Sequence, residues 1–420
     1  MLSKYNHYKK SGDDVFIYNS ISDKYEKISN IEFTYLNDKK MIHKISNTNF
    51  SNLIKKDMLI NDQSVEFSKI MLRYNEAVYS KNLHIVLLAS TDCNLECSYC
   101  YQELEKMTIS DEFIKVFIEF IKRNIRSYEG VYIEWFGGEP LLARRRIIEL
   151  STKIKNICKN NNIPYIATMT TNGYYLNDKV ALDLINSGIK FFQVTLDGNE
   201  DEHNLLRVSK NGKGSYKKIT ENLIKIKTNI PKNIFFRIGV RNNVSKRNIQ
   251  KSAYDFFEKY LVDDPRFSYF QYPIKNWGGT KINKMKNDLI GEKEELIDTD
   301  KNSQFSRPLS RRLCYATKNQ GYSITPDLKV YKCHHFIGKY FIDKLNIMNY
   351  VGTIADNGVL YTNEGTSIDW NVANINEKCK TCKYLPNCLF DKCPLKMTND
   401  FENCRDEQKL VIKRKMSVLE

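Results

Sequence analysis

The stretch Ser90-Thr91-Asp92-Cys93-Asn94-Leu95-Glu96-Cys97-Ser98-Tyr99-Cys100-Tyr101 places three cysteines on one short loop. Three thiolates can hold three irons of a four-iron cubane and leave the fourth iron without a protein ligand, where chemistry can occur. A zinc site is the alternative, but structural zinc ordinarily takes four protein ligands. The loop therefore predicts an iron–sulfur cluster with one open iron.

This loop resembles the signature loop of the radical S-adenosylmethionine (SAM) superfamily. The resemblance runs through residues 83 to about 280 and into a cysteine-rich tail from 314 to 404. It implies a catalytic 4Fe-4S cluster on Cys93, Cys97 and Cys100, whose open iron binds the amino and carboxylate groups of SAM. It also implies that electron transfer cleaves the sulfonium and that a 5'-deoxyadenosyl radical then abstracts a hydrogen atom from the substrate. Tyr101 would lie against the adenine.

The composition is that of a globular protein with more than one domain. The 420 residues suffice for two or three domains, and hydrophobic residues make up an ordinary 41%. The first residues form no signal-peptide core and no apolar run reaches membrane-spanning length, so we predict a cytoplasmic protein with no membrane partner. In that compartment the 11 cysteines, an odd number, favour metal ligands over structural disulfides.

The net charge of +15 raises nucleic acid as a possible partner. The lysines, however, are spread along the whole chain and form neither a basic arm nor a stripe interleaved with aromatic residues. This distribution favours a solvated, lysine-rich surface over a nucleic-acid-binding surface, and it would also suit an acidic peptide.

Residues 1–82 predict a small α+β domain. Two strand-like runs, Val15–Tyr18 and Ile31–Tyr35, precede helical stretches near 50–56 and 65–78. The segment has no sharp motif, so two interpretations stay open: a structural cap on the catalytic domain, or a winged-helix element that recognises a peptide.

From residue 83 onward, strand-like and helical patterns alternate, which favours a parallel sheet built from βα units. Six candidate strands can be assigned: Leu83–Leu88, Val131–Phe136, Tyr165–Thr170, Lys190–Leu196, Ile234–Val240 and Phe267–Tyr272. Six units match the partial (β/α)6 radical SAM barrel that the resemblance implies for residues 83–280. The predicted fold class is thus α/β, with this barrel between the small N-terminal α+β domain and a cysteine-rich C-terminal domain over 309–420. The charged residues 281–308 predict a linker.

Polar turns follow the predicted strands at their carboxyl ends, where the sites of such barrels are built. Gly137-Gly138-Glu139 offers close backbone approach and a carboxylate that can pair with an ammonium group, and the resemblance makes it the segment that contacts the SAM amino group. Two further turns offer short polar side chains to a ribose or a carboxylate, although turn chemistry alone would also explain them: Thr171 and Asn172, and Thr195 and Asp197. The end of the fifth strand, Arg241-Asn242-Asn243, is a further candidate. The resemblance implies that Arg207 pairs with the SAM carboxylate. The alternative is that Arg207 is an ordinary surface arginine.

Seven cysteines occupy the tail: Cys314, Cys333, Cys379, Cys382, Cys388, Cys393 and Cys404. One zinc ion would use four of these cysteines and leave three without a role. Seven cysteines instead fill all but one of the eight ligand positions of two four-iron clusters. Their spacing resembles the SPASM domain, the auxiliary-cluster tail of radical SAM enzymes that modify peptides and proteins. The resemblance assigns Cys314, Cys333 and Cys393 to a first auxiliary 4Fe-4S cluster. It assigns Cys379, Cys382, Cys388 and Cys404 to a second, which gives three clusters in all.

The tail departs from that pattern at two places. Leu328 stands where the family usually has a glycine, five residues before the second tail cysteine, and four residues instead of three separate Cys388 from Cys393. A first cluster with only three protein ligands would leave an iron that can bind a substrate thiolate, the chemistry that thioether-forming maturases are thought to use.

The residue after the second tail cysteine separates the candidate functions. Sulfatase-maturing relatives carry an aspartate there as their base, whereas this chain has His334, in a Cys333-His334-His335-Phe336 segment that looks more like the peptide-crosslinking maturases. His334 could relay a proton near neutral pH, an ordinary structural histidine being the alternative.

We therefore predict a radical SAM oxidoreductase that forms a thioether or carbon–carbon crosslink in a ribosomally made precursor peptide with a leader. It would consume SAM and take electrons from a donor such as flavodoxin or ferredoxin. The alternatives are sulfatase-type oxidation of Cys or Ser to formylglycine, and RNA modification, for which we find no appended RNA-binding motif.

Overall fold

The structure is a computed structural model of the chain. It describes residues 1–38, 40–248, 253–275, 279–289, 313–339, 341–342, 346–363, 365–372, 377–389, 409, 412–413 and 415–417. The chain divides into two compact units. The terminal unit comprises Met1–Ser80, Arg307–Asn319 and Trp370–Glu420, and the central unit comprises Lys81–Ser306 and Gln320–Asp369. The tail that the sequence analysis treats as one segment thus contributes residues to both units.

The terminal unit begins with an antiparallel three-stranded sheet followed by helices. The strands are β1 (Asn6–Ser11), β2 (Asp14–Asn19) and β3 (Lys24–Ser29), and the helices are α1 (Asn30–Leu36), α2 (Asn47–Lys55) and α3 (Gln63–Val78). Alternate residues of β2, Val15 and Ile17, are fully buried and pack with Leu53 of α2. The period-two pattern of this strand therefore supplies the core between sheet and helices.

The run Ile31–Tyr35, predicted as a strand, lies instead in helix α1. The Ser29 side chain accepts a hydrogen bond from the Glu32 backbone amide at 3.2 Å and so caps the helix. A serine followed three residues later by a glutamate is a signal for a helix start. The strand prediction was wrong because this cap outweighs the strand preference of the local β-branched and aromatic residues.

The central unit continues with eight strands and six helices. The strands are β4 (Asn82–Ser90), β5 (Leu95–Cys97), β6 (Gly130–Gly137), β7 (Tyr165–Thr171), β8 (Ile189–Thr195), β9 (Arg207–Ser209), β10 (Arg237–Val244) and β11 (Phe267–Pro273). The helices are α4 (Asp111–Asn124), α5 (Arg144–Asn160), α6 (Asp178–Ser187), α7 (Glu200–Leu206), α8 (Tyr216–Asn229) and α9 (Tyr254–Tyr260). All strands except β5 and β9 pair in parallel, in the order β11-β10-β8-β7-β6-β4. The predicted α/β class with six parallel strands is confirmed.

Helix α4 shows why these segments pack as they do. The Ser110 side chain accepts from the Phe113 backbone amide at 3.0 Å, and the buried aromatic residues Phe113, Phe117 and Phe120 recur along one face of the helix. That face lies in the same hydrophobic core as Ile85 of β4. Strand β4 is buried along nearly its whole length, as expected for a parallel strand whose two faces are both covered.

The fifth parallel strand, β10, begins at Arg237 and not at Ile234 as predicted. The Ile234 backbone amide donates to the Pro231 carbonyl at 3.0 Å, so these residues form a turn. A residue engaged in a turn of this kind cannot enter the ladder at the same position.

The sheet is extended by strands from the tail. These are β12 (Gly321–Ile324), β13 (Lys329–Tyr331), β16 (Tyr350–Ile354) and β17 (Leu360–Thr362), with the small hairpin β14 (Phe341–Ile342) and β15 (Ile347–Met348) between them in sequence. β12 pairs in parallel with β4, and β13, β16 and β17 follow antiparallel, so the described residues contain a ten-stranded sheet. Three short α-helices follow these strands in sequence: α10 (Thr366–Asn371), α11 (Glu377–Thr381) and α12 (Leu385–Cys388).

The segment predicted as a linker begins with ordered structure. Lys281–Asp288 forms tight 3-10 turns, and Ile282 and Met285 are buried against Leu206 and Ile274. Two apolar side chains three residues apart share one side of such a turn, which explains the packing. Residues 290–308, the rest of the predicted linker, lie outside the described residues. In the part of the chain that is described, no helix is both long enough and apolar enough to cross a membrane.

Candidate active site

The three-cysteine loop leaves β4 at the carboxyl edge of the parallel sheet and is held there by backbone pairing. β5 pairs antiparallel with β9, which places Cys97 opposite Arg207. A further backbone bond joins Ser98 N to Leu206 O at 2.9 Å. The pairing fixes the backbone of the loop and brings Arg207, distant in sequence, beside the cysteines.

The thiols of this loop are partly buried and, within the described residues, form no disulfide. Burial raises the pKa of Cys97 to about 12 and also raises the pKa of Cys93, and the Arg207 guanidinium opposes the rise at both. Metal ligation requires the thiolate, so a bound metal group would supply positive charge that the site needs. Among the described residues, no three His, Cys, Asp or Glu side chains converge on a single-ion site. The donor set, three thiols on one loop, fits an iron–sulfur cluster.

Gly137 and Gly138 allow the end of β6 to touch the cysteine loop. Gly137 has a φ of +136°, and a Cβ there would lie 2.0 Å from the Ser90 carbonyl oxygen; a Cβ on Gly138 would lie 2.4 Å from the Asp92 carbonyl oxygen. Backbone bonds join the same segments, from Gly138 N to Ser90 O and from Glu139 N to Asp92 O, both at 2.8 Å. The backbone that comes close to these two glycines is therefore that of the cysteine loop.

The Glu139 carboxylate is fully buried and engaged by the protein. Its Oε1 accepts from Thr171 Oγ1 at 2.6 Å and from Leu141 N at 3.0 Å, and its Oε2 accepts from Asn172 N at 2.8 Å. Burial raises the pKa of this carboxyl group against the lowering effect of these hydrogen bonds. Glu139 therefore holds the turn after β7, and its predicted contact with the SAM amino group would use the lone pairs that remain.

Asn172 connects that turn to the cysteine loop. Its side-chain Nδ2 donates to Asn94 Oδ1 at 2.8 Å and lies 3.8 Å from Cys93 Sγ, while its Oδ1 accepts from Tyr174 N at 2.9 Å. Thr171 accepts from Gly173 N at 3.1 Å, an ordinary turn contact. The structure thus brings Asn172 to the cysteines, and it also shows the turn chemistry that was the alternative interpretation.

A buried polar network lies where β8, β9 and β10 end or begin. The fully buried Asp197 accepts through Oδ1 from the Asn243 backbone amide at 2.7 Å. Its Oδ2 accepts from the Tyr99 hydroxyl and lies 3.4 Å from Arg207 Nη1. The Tyr99 oxygen in turn accepts from Arg207 Nη1 at 2.6 Å and from Asn243 Nδ2 at 3.1 Å. Thr195, another predicted site residue, ends β8 beside this network and is 7% exposed.

The Arg207 guanidinium keeps a buried donor available. Its Nε is buried and has no hydrogen-bond partner among the described residues, and the residue is only 6% exposed. This burial excludes the alternative of an ordinary surface arginine. A buried guanidinium N–H without an acceptor calls for a ligand oxygen, and a carboxylate matches its geometry best. The orphaned donor opposite Cys97 fits the carboxylate of SAM, the group that the resemblance implies here.

His203 stabilises the same network through hydrogen bonds to its backbone groups. Its Nδ1 accepts from Asp197 N at 3.1 Å, and its Nε2 lies 2.9 Å from the Ser215 hydroxyl, which donates to Arg207 O at 3.0 Å. Burial lowers the pKa of His203 well below its ordinary value, with Arg207 adding to the effect. The ring is therefore neutral, with its proton on Nε2, and it ties the backbones of Asp197 and Arg207 together.

Tyr101 and His334 lie beside rings of the central unit. The Tyr101 ring centroid is 4.7 Å from that of His335, and the His334 ring is 4.8 Å from Phe136, the residue before Gly137. Burial lowers the pKa of His335 to about 4 and that of His334 well below its ordinary value. The predicted roles, an adenine contact for Tyr101 and a base for His334, remain proposals.

The tail cysteines are only partly described. Cys333 lies in the central unit, where its backbone amide donates to Asn349 Oδ1 at 2.9 Å. Four others lie in the terminal unit: Cys314, Cys379, Cys382 and Cys388. Cys393 and Cys404 lie outside the described residues. The remaining cysteine, Cys158, is fully buried in the core on α5.

Three residues of the site were missed by the sequence analysis: Tyr99, His203 and Ser215. Tyr99 stands inside the quoted loop, directly before the third cysteine, and a polar tip on a ring at that position was a usable signal. His203 and Ser215 gave no such signal, because their roles depend on hydrogen bonds to the backbones of Asp197 and Arg207 that no local pattern encodes.

The fold and the site together define a parallel α/β protein that presents a three-cysteine loop at the carboxyl edge of its sheet. Residues 87–253 match the sequence profile of the Radical SAM superfamily, and the chain therefore contains a domain of that superfamily. The prediction of a radical SAM domain is confirmed over these residues. The superfamily implies SAM and a 4Fe-4S cluster, and the two auxiliary clusters of the prediction remain a proposal.

Several curated relatives match part of the chain, and two of them illustrate the similarity. An uncharacterized protein of Methanocaldococcus jannaschii is 30% identical over 185 residues, which are 43% of this chain and 58% of that protein. The cysteine-type anaerobic sulfatase-maturating enzyme of Clostridium novyi (strain NT) is 29% identical over 203 residues, 43% of this chain and 48% of that enzyme. The chain thus spans about half the length of the curated relatives it matches.

A likeness over nearly the whole chain is found to the crystal structure of Streptococcus suis SuiB bound to the precursor peptide SuiA. It covers 96% of this chain and 97% of that chain, with 14% sequence identity and a TM-score of 0.47. Similarity at this level says nothing about the function of the present protein.

Proposed function

We propose that this protein is a radical SAM maturase that forms a thioether or carbon–carbon crosslink in a ribosomally made precursor peptide. The observation that carries the SAM-dependent part is the unpaired Arg207 Nε, held opposite Cys97 on a fixed three-cysteine loop. It offers a carboxylate a place beside an iron–sulfur cluster. The peptide-modifying part is supported by the cysteine tail, whose spacing resembles the SPASM domain.

In this proposal Cys93, Cys97 and Cys100 hold the cluster and Arg207 holds the SAM carboxylate. When bound, the cluster and SAM supply a radical that abstracts a hydrogen atom. Glu139 and Asn172 fix the turns around the loop through the hydrogen bonds described above.

The tail residues complete the electron and proton balance of the crosslink. The peptide gives up one hydrogen atom, one proton and one electron as the new bond forms. His334, which lies against Phe136 at the edge of β6, would take the proton. The two auxiliary clusters on the seven tail cysteines would take the electron. The first of them, with three protein ligands, would bind the thiolate of the peptide.

The partners follow from the same proposal. A leader of the precursor peptide would be recognised by residues 1–82, and a donor such as flavodoxin or ferredoxin would supply the electron for SAM cleavage. We place the protein in the cytoplasm, since thiols meant for clusters stay reduced there.

Sulfatase maturation is the second candidate, and the similarity to the Clostridium novyi sulfatase-maturating enzyme favours it. In that case a Cys or Ser of a protein would be oxidised to formylglycine. The histidine at position 334, where an aspartate base would be expected, speaks against this candidate.

Mass spectrometry of the peptide distinguishes the two candidates. The reconstituted protein, SAM and a reductant would be incubated with a Cys-containing peptide encoded beside the gene. A product that has lost a pair of hydrogens and kept its sulfur supports crosslinking, whereas loss of the cysteine sulfur supports formylglycine formation. Failure to form 5'-deoxyadenosine with any substrate would refute both candidates. The His334→Gln variant should still cleave SAM but should form little crosslink.

A further inference from the structure

We propose that Tyr99 is a positioning residue that keeps the Arg207 guanidinium turned toward a carboxylate ligand. The proposal rests on the proposed function, because the carboxylate is that of SAM. The Tyr99 hydroxyl lies between two charged side chains: it donates to Asp197 Oδ2 and accepts from Arg207 Nη1 at 2.6 Å. Tyr99 thus acts as a spacer within what would otherwise be a direct ion pair.

The distances between Arg207, Tyr99 and Asp197 are those expected if the tyrosine hydroxyl separates the two charged groups. Arg207 Nη1 is 3.4 Å from Asp197 Oδ2, longer than the roughly 2.7–2.9 Å of a direct charge-assisted hydrogen bond. Arginine and aspartate that meet without an intervening group commonly form a two-pronged pair that uses two guanidinium nitrogens. Here one edge of the guanidinium is occupied by the tyrosine, while Nε has no partner among the described residues. The unoccupied edge is the one available to a ligand.

Further contacts keep the tyrosine in place. Asn243 donates to the Tyr99 oxygen through Nδ2 at 3.1 Å and to Asp197 Oδ1 through its backbone amide at 2.7 Å. The Tyr99 ring packs against the apolar cluster that contains Ile282 and Met285. A phenylalanine would keep this ring packing and would remove only the hydroxyl.

Loss of the hydroxyl should let Arg207 and Asp197 pair directly. The guanidinium would then be satisfied by the aspartate, and its recognition of a ligand carboxylate would weaken. A merely structural tyrosine would, in contrast, change the binding of every ligand of the site alike. The test is therefore the ratio of two affinities, for SAM and for decarboxylated SAM, which lacks only the carboxylate.

The dissociation constants of both compounds would be measured by anaerobic equilibrium dialysis on the reconstituted wild-type protein and on Tyr99→Phe. Hydrogen bonds to charged groups are strong enough that we expect the preference for SAM to fall about tenfold in the variant. The Tyr74→Phe variant removes another buried hydroxyl, one that donates to Asn371 O at 2.8 Å in the terminal unit, and should leave the ratio unchanged. The double variant Tyr99→Phe/Asp197→Asn should recover part of the preference, because an amide pairs less strongly with arginine.

The outcomes separate this proposal from the proposed function. If the wild-type protein does not bind SAM, the proposed function fails. If it prefers SAM and Tyr99→Phe prefers it equally, only the role of Tyr99 is overturned. Should Tyr99→Phe lack a cooperative melting transition, Asn243→Ser takes its place: a smaller drop in the ratio supports the proposal, and an unchanged ratio overturns it.

Discussion

At Gly137 the absence of a side chain sets how closely β6 approaches the cysteine loop. We expect Gly137→Ala to displace the loop, because the new methyl carbon would lie 2.0 Å from the Ser90 carbonyl oxygen and the φ of +136° strains any other residue. The variant should lose about 3 kcal/mol or more of stability. It should also bind less iron after reconstitution, measured as iron per chain.

Gly12→Ala is the matched control for backbone strain alone. Gly12 also has a positive φ, +58°, but a Cβ there would meet no atom within 4 Å. This variant should lose only about 1 kcal/mol and should bind iron as the wild type does. Equal effects of the two substitutions would contradict the close-approach argument.

Leu328 shows how a departure from a family pattern is accommodated. The resemblance places a glycine here, and Leu328 takes the left-handed conformation, with a φ of +61°, that a glycine adopts without strain. Its side chain also packs against the central core. The sequence shows that Leu328 departs from the family pattern, and the structure shows why the family has a glycine here: the backbone is left-handed.

At position 328 we expect glycine to give a more stable protein than alanine. Both Leu328→Ala and Leu328→Gly lose the packing of the leucine, but only glycine relieves the left-handed strain of about 1 kcal/mol. Leu328→Gly should therefore melt at a higher temperature than Leu328→Ala. In a regular strand or helix glycine would be the worse of the two, and that order here would refute the argument.

Among the contacts between elements, an ion pair fixes the segment before β11 to the end of α8. Asp264 and Arg266 are nearly buried and form a two-pronged pair, with Nη2 to Oδ2 at 2.7 Å and Nε to Oδ1 at 3.0 Å. Arg266 also donates to the carbonyls of Ile230 and Lys227, at the end of α8. The pair lies at the amino ends of the strands, opposite the edge that carries the cysteine loop.

Asp264→Asn should destabilise the central unit by about 3 kcal/mol, since it leaves a buried guanidinium uncompensated. Burial alone would raise the pKa of Asp264, but the hydrogen bonds and charge of Arg266 hold it below its ordinary value. The stabilisation is therefore complete above the pKa of the unfolded aspartate and is lost as the pH falls. Thermal melts should show the gap between wild type and variant at pH 7, and it should shrink below about pH 4.

SAM binding is the control for this prediction. The pair lies at the far edge of the sheet, so folded Asp264→Asn should bind SAM with unchanged affinity. A gap in melting temperature that stays constant down to about pH 3 would show that the carboxylate charge is not the source of the stability.

The sequence predicted most of the elements that build the sheet, and its failures have identifiable causes. Six alternating apolar runs predicted the parallel strands because buried strands are apolar on both faces. Helix α1 was predicted as a strand because its β-branched and aromatic residues favour a strand, whereas the Ser29 cap stabilises the helix. The order in Lys281–Asp288 was missed because its two buried residues depend on contacts with Leu206 and Ile274, which no local pattern encodes.

The sequence predicted which residues form the candidate site but not the hydrogen bonds that link them. The cysteines, Asp197 and Arg207 could be named from motifs, yet their link through Tyr99 depends on the pairing of β5 with β9. For Glu139, the motif suggested a contact with a ligand, whereas its observed partners are the turn residues Thr171 and Asn172. Sequence spacing indicates which groups meet, and hydrogen-bond partners emerge only with the fold.

In the molecule as a whole, we propose that the first three cysteines form a separate cluster site in the central unit. Arg207, with its unpaired Nε, is the second element of that site. The tail cysteines are proposed to hold two further clusters of their own. Iron bound by the loop and iron bound by the tail should therefore be lost independently.

The most direct test is the iron and labile sulfide content per chain after anaerobic reconstitution. The wild type would be compared with a Cys93→Ala/Cys97→Ala/Cys100→Ala variant, with Cys158→Ala as the control for loss of a buried core cysteine. We predict that the triple variant loses about four irons and all SAM cleavage while the tail keeps its iron, and that the control keeps the full complement. Equal iron in the wild type and the triple variant would contradict the claim that this loop holds a cluster.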